Sequence, residues 1–126
     1  MNEKNPCALI TGISGQDGTY LAELLLRKNY KIIGITRNIE TTKEKLPFEL
    51  KNRIDLVSWD FTNQQKIIDI LLDNHPDEIY NFAAYSSGVG MYDNPIDISK
   101  INGLSVTLIL EAIRLIDPDI RFCQAS

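Results

Sequence analysis

Residue types that often carry chemistry on their own are scarce in this sequence. It holds one histidine, His75, and two cysteines, Cys7 and Cys123, among 126 residues. A single histidine with no second ligand at metal spacing assigns no metal site, and beside Pro76, at the close of an amphipathic stretch, it reads as a helix-terminal residue. The two cysteines fall in what read as the first and fifth strands of a parallel sheet, which are not neighbours. No disulfide is expected, and both are read as buried, reduced thiols. No apolar run approaches the roughly 20 residues that cross a bilayer, and the opening MNEKNP lacks a signal-peptide core. Nor is there a block of like charge. The net charge of −4, with acids and bases interspersed, offers no surface for nucleic acid or for an anionic membrane. The expectation is one cytoplasmic domain with no membrane and no nucleic-acid partner.

Against this background the glycines stand out, because three of the seven lie between residues 12 and 18. The apolar run Cys7 to Ile10 passes into Gly12-Ile13-Ser14-Gly15-Gln16-Asp17-Gly18, and then into Leu21, Leu24 and Leu25 at helical spacing. Strand, tight turn and helix in this order suit a pyrophosphate: glycines let the backbone approach it, and the helix N-terminus supplies free amides and a positive dipole end. The spacing is G-x-x-G-x-x-G, not the common G-x-G-x-x-G. Tight packing of helix on strand would also ask for glycine at these places.

GISGQDGTYLAELLL resembles the opening of the GDP-mannose 4,6-dehydratase family, extended short-chain dehydrogenase/reductase enzymes of the NAD-dependent epimerase/dehydratase superfamily. Gly-Gln-Asp-Gly followed by Tyr-Leu-Ala-Glu is the recurrent form there. The likeness implies a nucleotide-sugar substrate, a cofactor in the glycine turn, and a homo-oligomer when full length. It also implies a reaction: hydride leaves sugar C4 for NADP, water is eliminated across C5 and C6, and the hydride returns to C6. The base of that reaction belongs to a Tyr-x-x-x-Lys pair, which occurs nowhere in these 126 residues. No catalytic residue is therefore assigned, and residues 1–126 are read as an NAD(P)-binding Rossmann-type part, inactive alone, without the catalytic and substrate-binding remainder. An epimerase or reductase of the same superfamily, and a non-catalytic NADP-binding sensor module, are the alternative readings.

The order of elements predicts a doubly wound α/β sheet of five parallel strands in the order 3-2-1-4-5, cut off after the fifth. The first helix runs to about Lys28 and the second strand covers Lys31 to Thr36. Arg37 ends that strand, where an acid selects NAD and an arginine accommodates the 2′-phosphate of NADP. NADP is the expected cofactor. A plain solvated charge is the other reading of Arg37, and Glu40 nearby leaves NAD open. The resembling enzymes carry two arginines here, and Asn38 occupies the second place. Residues 38–53, with weak helical character interrupted by Pro47, read as a surface connection.

A third strand, IDLVSWD, ends at Asp60-Phe61. In the superfamily an Asp and an apolar residue at this point lie against the adenine; Asp60 suits equally the role of cap for a helix starting near Thr62. Gln64 to Asn74 is amphipathic through Ile67, Ile68, Ile70, Leu71 and Leu72. The fourth strand, from Glu78 to Ala83, leads into Asn81-Phe82-Ala83-Ala84, which resembles the superfamily's Asn-x-x-Ala segment beside the cofactor. Phe82, Ala83, Ala84, Tyr85 and Ser86 are cofactor candidates on that resemblance, although alanines also serve close helix packing. In the following loop Ser87 and Gly88 replace the family's His-Val and are candidate substrate contacts; a loop with no substrate role is the alternative. A long helix from about Asp97 to Leu115 contains Gly103, which close packing against a strand or a partner would explain. The fifth strand, Ile120 to Ala125, presents an exposed edge.

Overall fold

The computed structural model describes residues 5–82 and 95–124. Their elements are β1 (Cys7–Thr11), α1 (Gln16–Arg27), β2 (Lys31–Thr36), α2 (Ile39–Lys45), α3 (Phe48–Lys51), β3 (Ile54–Ser58), α4 (Gln64–Asn74), β4 (Glu78–Asn81), α5 (Pro95–Ile116) and β5 (Arg121–Gln124). All strand pairings are parallel, in the order β3-β2-β1-β4-β5. The Rossmann-type sheet expected from the alternation of strands and helices is the one observed.

β1 is central and buried along its whole length, which is why it reads as an unbroken apolar run instead of an alternating one. Its side chains divide between two cores. Cys7 and Leu9 join Ile33, Ile35 and Ile79 beneath α4 and α5, which contribute Ile67, Leu71, Ile109 and Ala112. Ala8 and Ile10 join Ile32, Ala22, Leu25 and Leu26 beneath α1. Each fully buried Leu or Ile contributes about 1.5–3 kcal/mol, so β1 is the strand whose loss the sheet would tolerate least. The stripe that α1 buries is Gly18, Ala22, Leu25 and Leu26; Leu24, expected among the apolar positions, is 39% exposed.

Residues 38–53 correct the expectation of a plain surface connection. Asn38 caps α2 by accepting from the Thr41 amide at 3.0 Å, and Pro47 interrupts the helical stretch as expected, separating α2 from α3. Proline suits that place, since without an N–H it cannot continue the ladder of α2, while its carbonyl opens α3 by accepting from the Leu50 amide at 2.9 Å. Leu46 and Leu50, on either side, are buried in the α1 core.

The ends of three elements also shift. β3 stops at Ser58 and β4 at Asn81, before the boundaries the sequence suggested, and β5 begins at Arg121, one residue later than expected, and runs to Gln124, the last described residue. α1 closes on Asn29, at φ 65°; the Tyr30 amide bonds the Leu25 carbonyl and the Asn29 amide that of Leu26, both at 3.0 Å. This double closure is the left-handed ending that Gly or Asn allows. α4 ends on His75, also left-handed at φ 46°. Cys7 is buried but Cys123 is exposed, both as free thiols, so only one of the two expected buried thiols is so placed. Gly103 meets no packing partner among the described residues: none of their atoms lies within 4 Å of a Cβ built there.

At the N-terminal edge of the sheet, Glu78 accepts from Tyr30 Oη at 2.9 Å and Tyr80 Oη at 2.7 Å, and pairs with Arg121. Burial alone would raise its carboxyl; the two phenols and the arginine outweigh burial and hold it below its ordinary value. This cluster ties the end of α1 to β4 and β5, at the opposite end of the strands from the glycine turn.

Candidate dinucleotide-binding site

Gly12 leaves β1 at φ 69°, a conformation that glycine enters without steric cost. The chain then folds back, and the Gly15 amide donates to the Gly12 carbonyl at 3.0 Å. Thr19 Oγ1 donates to the Ile13 carbonyl at 3.0 Å and fastens the turn to the first coil of α1. Gly15 is the N-cap, extended at ψ 167°, and no side chain caps this end. The first i to i−4 bond of α1 runs from the Thr19 amide to the Gly15 carbonyl, at 2.9 Å. The amides of Gln16, Asp17 and Gly18 therefore precede the helical ladder, the position from which helix-start amides can donate to an anion.

The glycines are required by contact. A Cβ on Gly18 would lie 2.3 Å from the Gly12 carbonyl oxygen, and one on Gly15 would lie 3.3 Å from it. Gly15, Gln16 and Asp17 are exposed, whereas Ile13 is 1% exposed. The Ile13 side chain packs over β2, where a Cβ on Gly34 would meet its Cγ1 at 3.1 Å and Leu56 Cδ2 at 2.8 Å. Of the seven turn residues, Ile13 thus has only backbone to offer a ligand.

Arg37 is exposed at the C-terminal end of β2. Thr36, just before it, shares a hydroxyl contact of 2.6 Å with Thr42. The end of β3 is joined to the same region by the Trp59 amide, which donates to the Thr36 carbonyl at 2.9 Å. Asp60 is exposed; its Oδ1 accepts from the Thr62 amide at 2.8 Å, Thr62 Oγ1 at 3.0 Å and the Asn63 amide at 3.0 Å. The Thr62 amide bond is the largest of the causes that hold this carboxyl below its ordinary value. The helix cap is Asn63, whose Oδ1 accepts from the Lys66 amide at 3.0 Å, so Asp60 shapes the turn before α4 without capping it. Phe61, in the left-handed region at φ 69°, is 5% exposed, and its ring centroid lies 4.7 Å from that of Trp59. Its ring belongs to the core under α4.

On the other side of the turn, Thr11 and Asn81 face each other across β1 and β4. Thr11 Oγ1 donates to Asn81 Oδ1 at 2.5 Å, and the Thr11 carbonyl accepts from the Phe82 amide at 3.4 Å. Phe82 is half-buried, its ring stacked near Tyr80 at 6.4 Å between centroids.

A family model described as GDP-mannose 4,6 dehydratase matches residues 9–126. The chain belongs to this dehydratase family. Two curated GDP-mannose 4,6-dehydratases illustrate the likeness. That of Vibrio cholerae serotype O1 is 37% identical over 135 residues, covering 100% of this chain and 36% of the relative. That of Yersinia enterocolitica is 35% identical over 128 residues, covering 94% and 34%. The chain thus spans about a third of the length of the curated relatives it matches. Among solved structures, a dTDP-glucose 4,6-dehydratase from Bacillus anthracis in complex with NAD superposes with a TM-score of 0.73, at 21% identity over 96% of this chain and 37% of that one. That likeness speaks for the fold.

In this member of the GDP-mannose 4,6-dehydratase family, the C-terminal ends of β1, β2, β3 and β4 carry the turn, Arg37, Asp60 and Phe82 respectively. They lie along one edge of the sheet, on both sides of the point where the strand order reverses, where ligands of open α/β sheets bind. Ala83, Ala84, Tyr85, Ser86, Ser87 and Gly88 fall outside the described residues. Two turn-building residues went unnamed as site residues, Thr11 and Thr19. The signal for Thr19 was present, as a hydroxyl in the first coil of a helix that follows glycines. That for Thr11 needed the register of β4. Among the described residues no group of His, Cys, Asp and Glu could hold a metal ion.

Proposed function

We propose that this chain is the NADP-binding part of a nucleotide-sugar 4,6-dehydratase that acts on GDP-mannose or a closely similar GDP-linked sugar. The observation that carries the reading is the contact between Gly18 and Gly12, which a side chain would abolish and which sets the uncapped start of α1 against the end of β1. A cradle of this kind fits a pyrophosphate. When bound, the nicotinamide supplies a reversible hydride acceptor.

The chain's own residues bind and orient. Gly15 and the amides of Gln16, Asp17 and Gly18 would neutralise the diphosphate, Arg37 would meet the ribose 2′-phosphate, and Asp60 would accept from the adenine amine. Asp60 suits that task because its depressed carboxyl stays ionised at neutral pH. Phe61, with its ring buried, would contribute through its backbone. Ala83, Ala84, Tyr85 and Ser86 would complete the cofactor side, and Ser87 and Gly88 would touch the sugar nucleotide. The choice of NADP over the NAD held by the Bacillus anthracis enzyme rests on Arg37 and on the absence of an acid at the β2 terminus. We extend the reading to a cytoplasmic place of work, in keeping with two free thiols, and to a homo-oligomeric full-length protein.

Titration of the chain with NADPH and, separately, NADH, followed by nucleotide fluorescence, tests the reading. Saturable binding with NADPH the tighter ligand is expected. No binding of either nucleotide would remove the function, and tighter NADH would remove the assignment of NADP.

A further inference from the structure

The pair formed by Thr11 and Asn81 continues into a third strand. Asn81 stands opposite Gln124 in the parallel pairing of β4 and β5, and Asn81 Nδ2 donates to Gln124 Oε1 at 2.7 Å. One side-chain chain therefore crosses three strands at a single register, from Gln124 through Asn81 to Thr11. Its middle member is 2% exposed and Thr11 is 0% exposed, so neither can exchange its partner for bulk water without opening the sheet. Gln124 is the exposed end.

We infer that Gln124 is a positioning residue for the nucleotide-binding turn, acting through the Asn81 carboxamide on Thr11. The inference rests on the proposed cofactor site for its functional consequence, but its structural part concerns the turn itself. Thr11 is the last residue before Gly12, whose carbonyl closes onto the Gly15 amide and overlies Gly18. The end of β4 holds Thr11 at two points, its hydroxyl through the Asn81 side chain and its carbonyl through the Phe82 amide, so a shift of the Asn81 side chain acts directly on the residue that opens the turn. A buried carboxamide can point either way round. Here its oxygen takes the Thr11 proton while its amino group is held by Gln124, and removing the acceptor at position 124 leaves that amino group without this partner. The end of β5, two strands away from the turn, thereby has a hold on where the turn's amides point.

The test compares Gln124→Leu, which cannot accept from Asn81, with Gln124→Glu, which can. Position 124 is exposed, so neither change opens a cavity in the core. In the nucleotide-free chain, Gln124→Leu should move the Asn81 side-chain amide resonances and accelerate hydrogen exchange at the Gly15 amide severalfold. Gln124→Glu should keep both near wild type. In NADPH titrations the Leu variant should bind roughly threefold to tenfold more weakly, with the Glu variant close to wild type. Combining Gln124→Leu with Thr11→Val should cost less than the sum of the two changes. Unchanged Asn81 and Gly15 signals in Gln124→Leu overturn the inference, as does a Glu variant no better than Leu or strict additivity with Thr11→Val. Should the Leu variant fail to fold, Gln124→Ser, too short to reach Asn81, carries the same comparison. The free-protein signals decide the matter even if the wild-type chain binds no nucleotide, a result that would instead remove the proposed cofactor.

Discussion

Gly18 passes so close beneath Gly12 that the Gly12 carbonyl oxygen lies 2.3 Å from the place a methyl group on Gly18 would take. The oxygen is backbone and cannot swing aside as a side chain would. Gly18→Ala should therefore displace the start of α1, costing about 1–3 kcal/mol of stability and weakening NADPH binding by roughly tenfold or more. Urea denaturation and nucleotide titration read the two effects.

Gly103 provides the opposite case. It lies inside α5, exposed, and no atom of the described residues stands within 4 Å of a Cβ built there. Gly103→Ala should raise stability by about 0.5–1 kcal/mol, by removing backbone freedom from the unfolded chain without a new contact in the folded one. The same denaturation experiment checks it, and a loss would mean that this face of the helix is covered in solution.

Arg37→Asp should reverse the nucleotide preference. The loss of a charge-assisted bond to a 2′-phosphate is worth about 1.5–3 kcal/mol, so NADPH should weaken by roughly tenfold to a hundredfold. NADH should hold or improve, because an acid at this strand end suits the ribose diol. Parallel titrations with the two nucleotides measure the switch.

The cluster at Glu78 predicts a pH effect of definite sign. Its carboxyl sits below the ordinary 4.5 in the fold, since the bonds from Tyr80, Tyr30 and Arg121 outweigh the burial that would raise it. The unfolded chain thus takes up this proton first as the pH falls. The stabilisation is present in full above about 4.5 and is lost as the pH drops through the folded value. Glu78→Gln should flatten the acid limb of a stability profile between neutral pH and about 3. On the alkaline side, burial and then the bond to Glu78 push the Tyr80 phenol up to about 12. That contribution holds below 10, the ordinary phenol value, and fades towards 12.

The strand order was legible because strands and helices alternate and the glycine turn pins β1 as the first strand of a nucleotide fold. The site was legible where it depends on backbone, at Gly12, Gly15 and Gly18. It was less so where tertiary packing decides. Pro47 announced the break between α2 and α3, but not that Leu46 and Leu50 beside it reach the core under α1. Asp60 and Asn63 are both good caps, and only the bond to the Lys66 amide tells which one serves α4. Nothing in the local sequence announces that Phe61 takes φ 69° and buries its ring against Trp59, since aromatic residues seldom adopt that conformation. The link from Thr11 through Asn81 to Gln124 spans more than a hundred positions and exists only once three strands are in register.

Asn38 follows Arg37 at the place where the family resemblance implies a second arginine, and its side chain holds the Thr41 amide at the start of α2. Charge and helix initiation therefore compete for one position. An engineer wishing to strengthen the grip on a phosphorylated ribose by restoring a cation there would unfasten α2, and with it the support for Leu46 beside α1. On the proposed reading selectivity would be retuned at Arg37, or from a residue elsewhere on the rim, because position 38 is already spoken for.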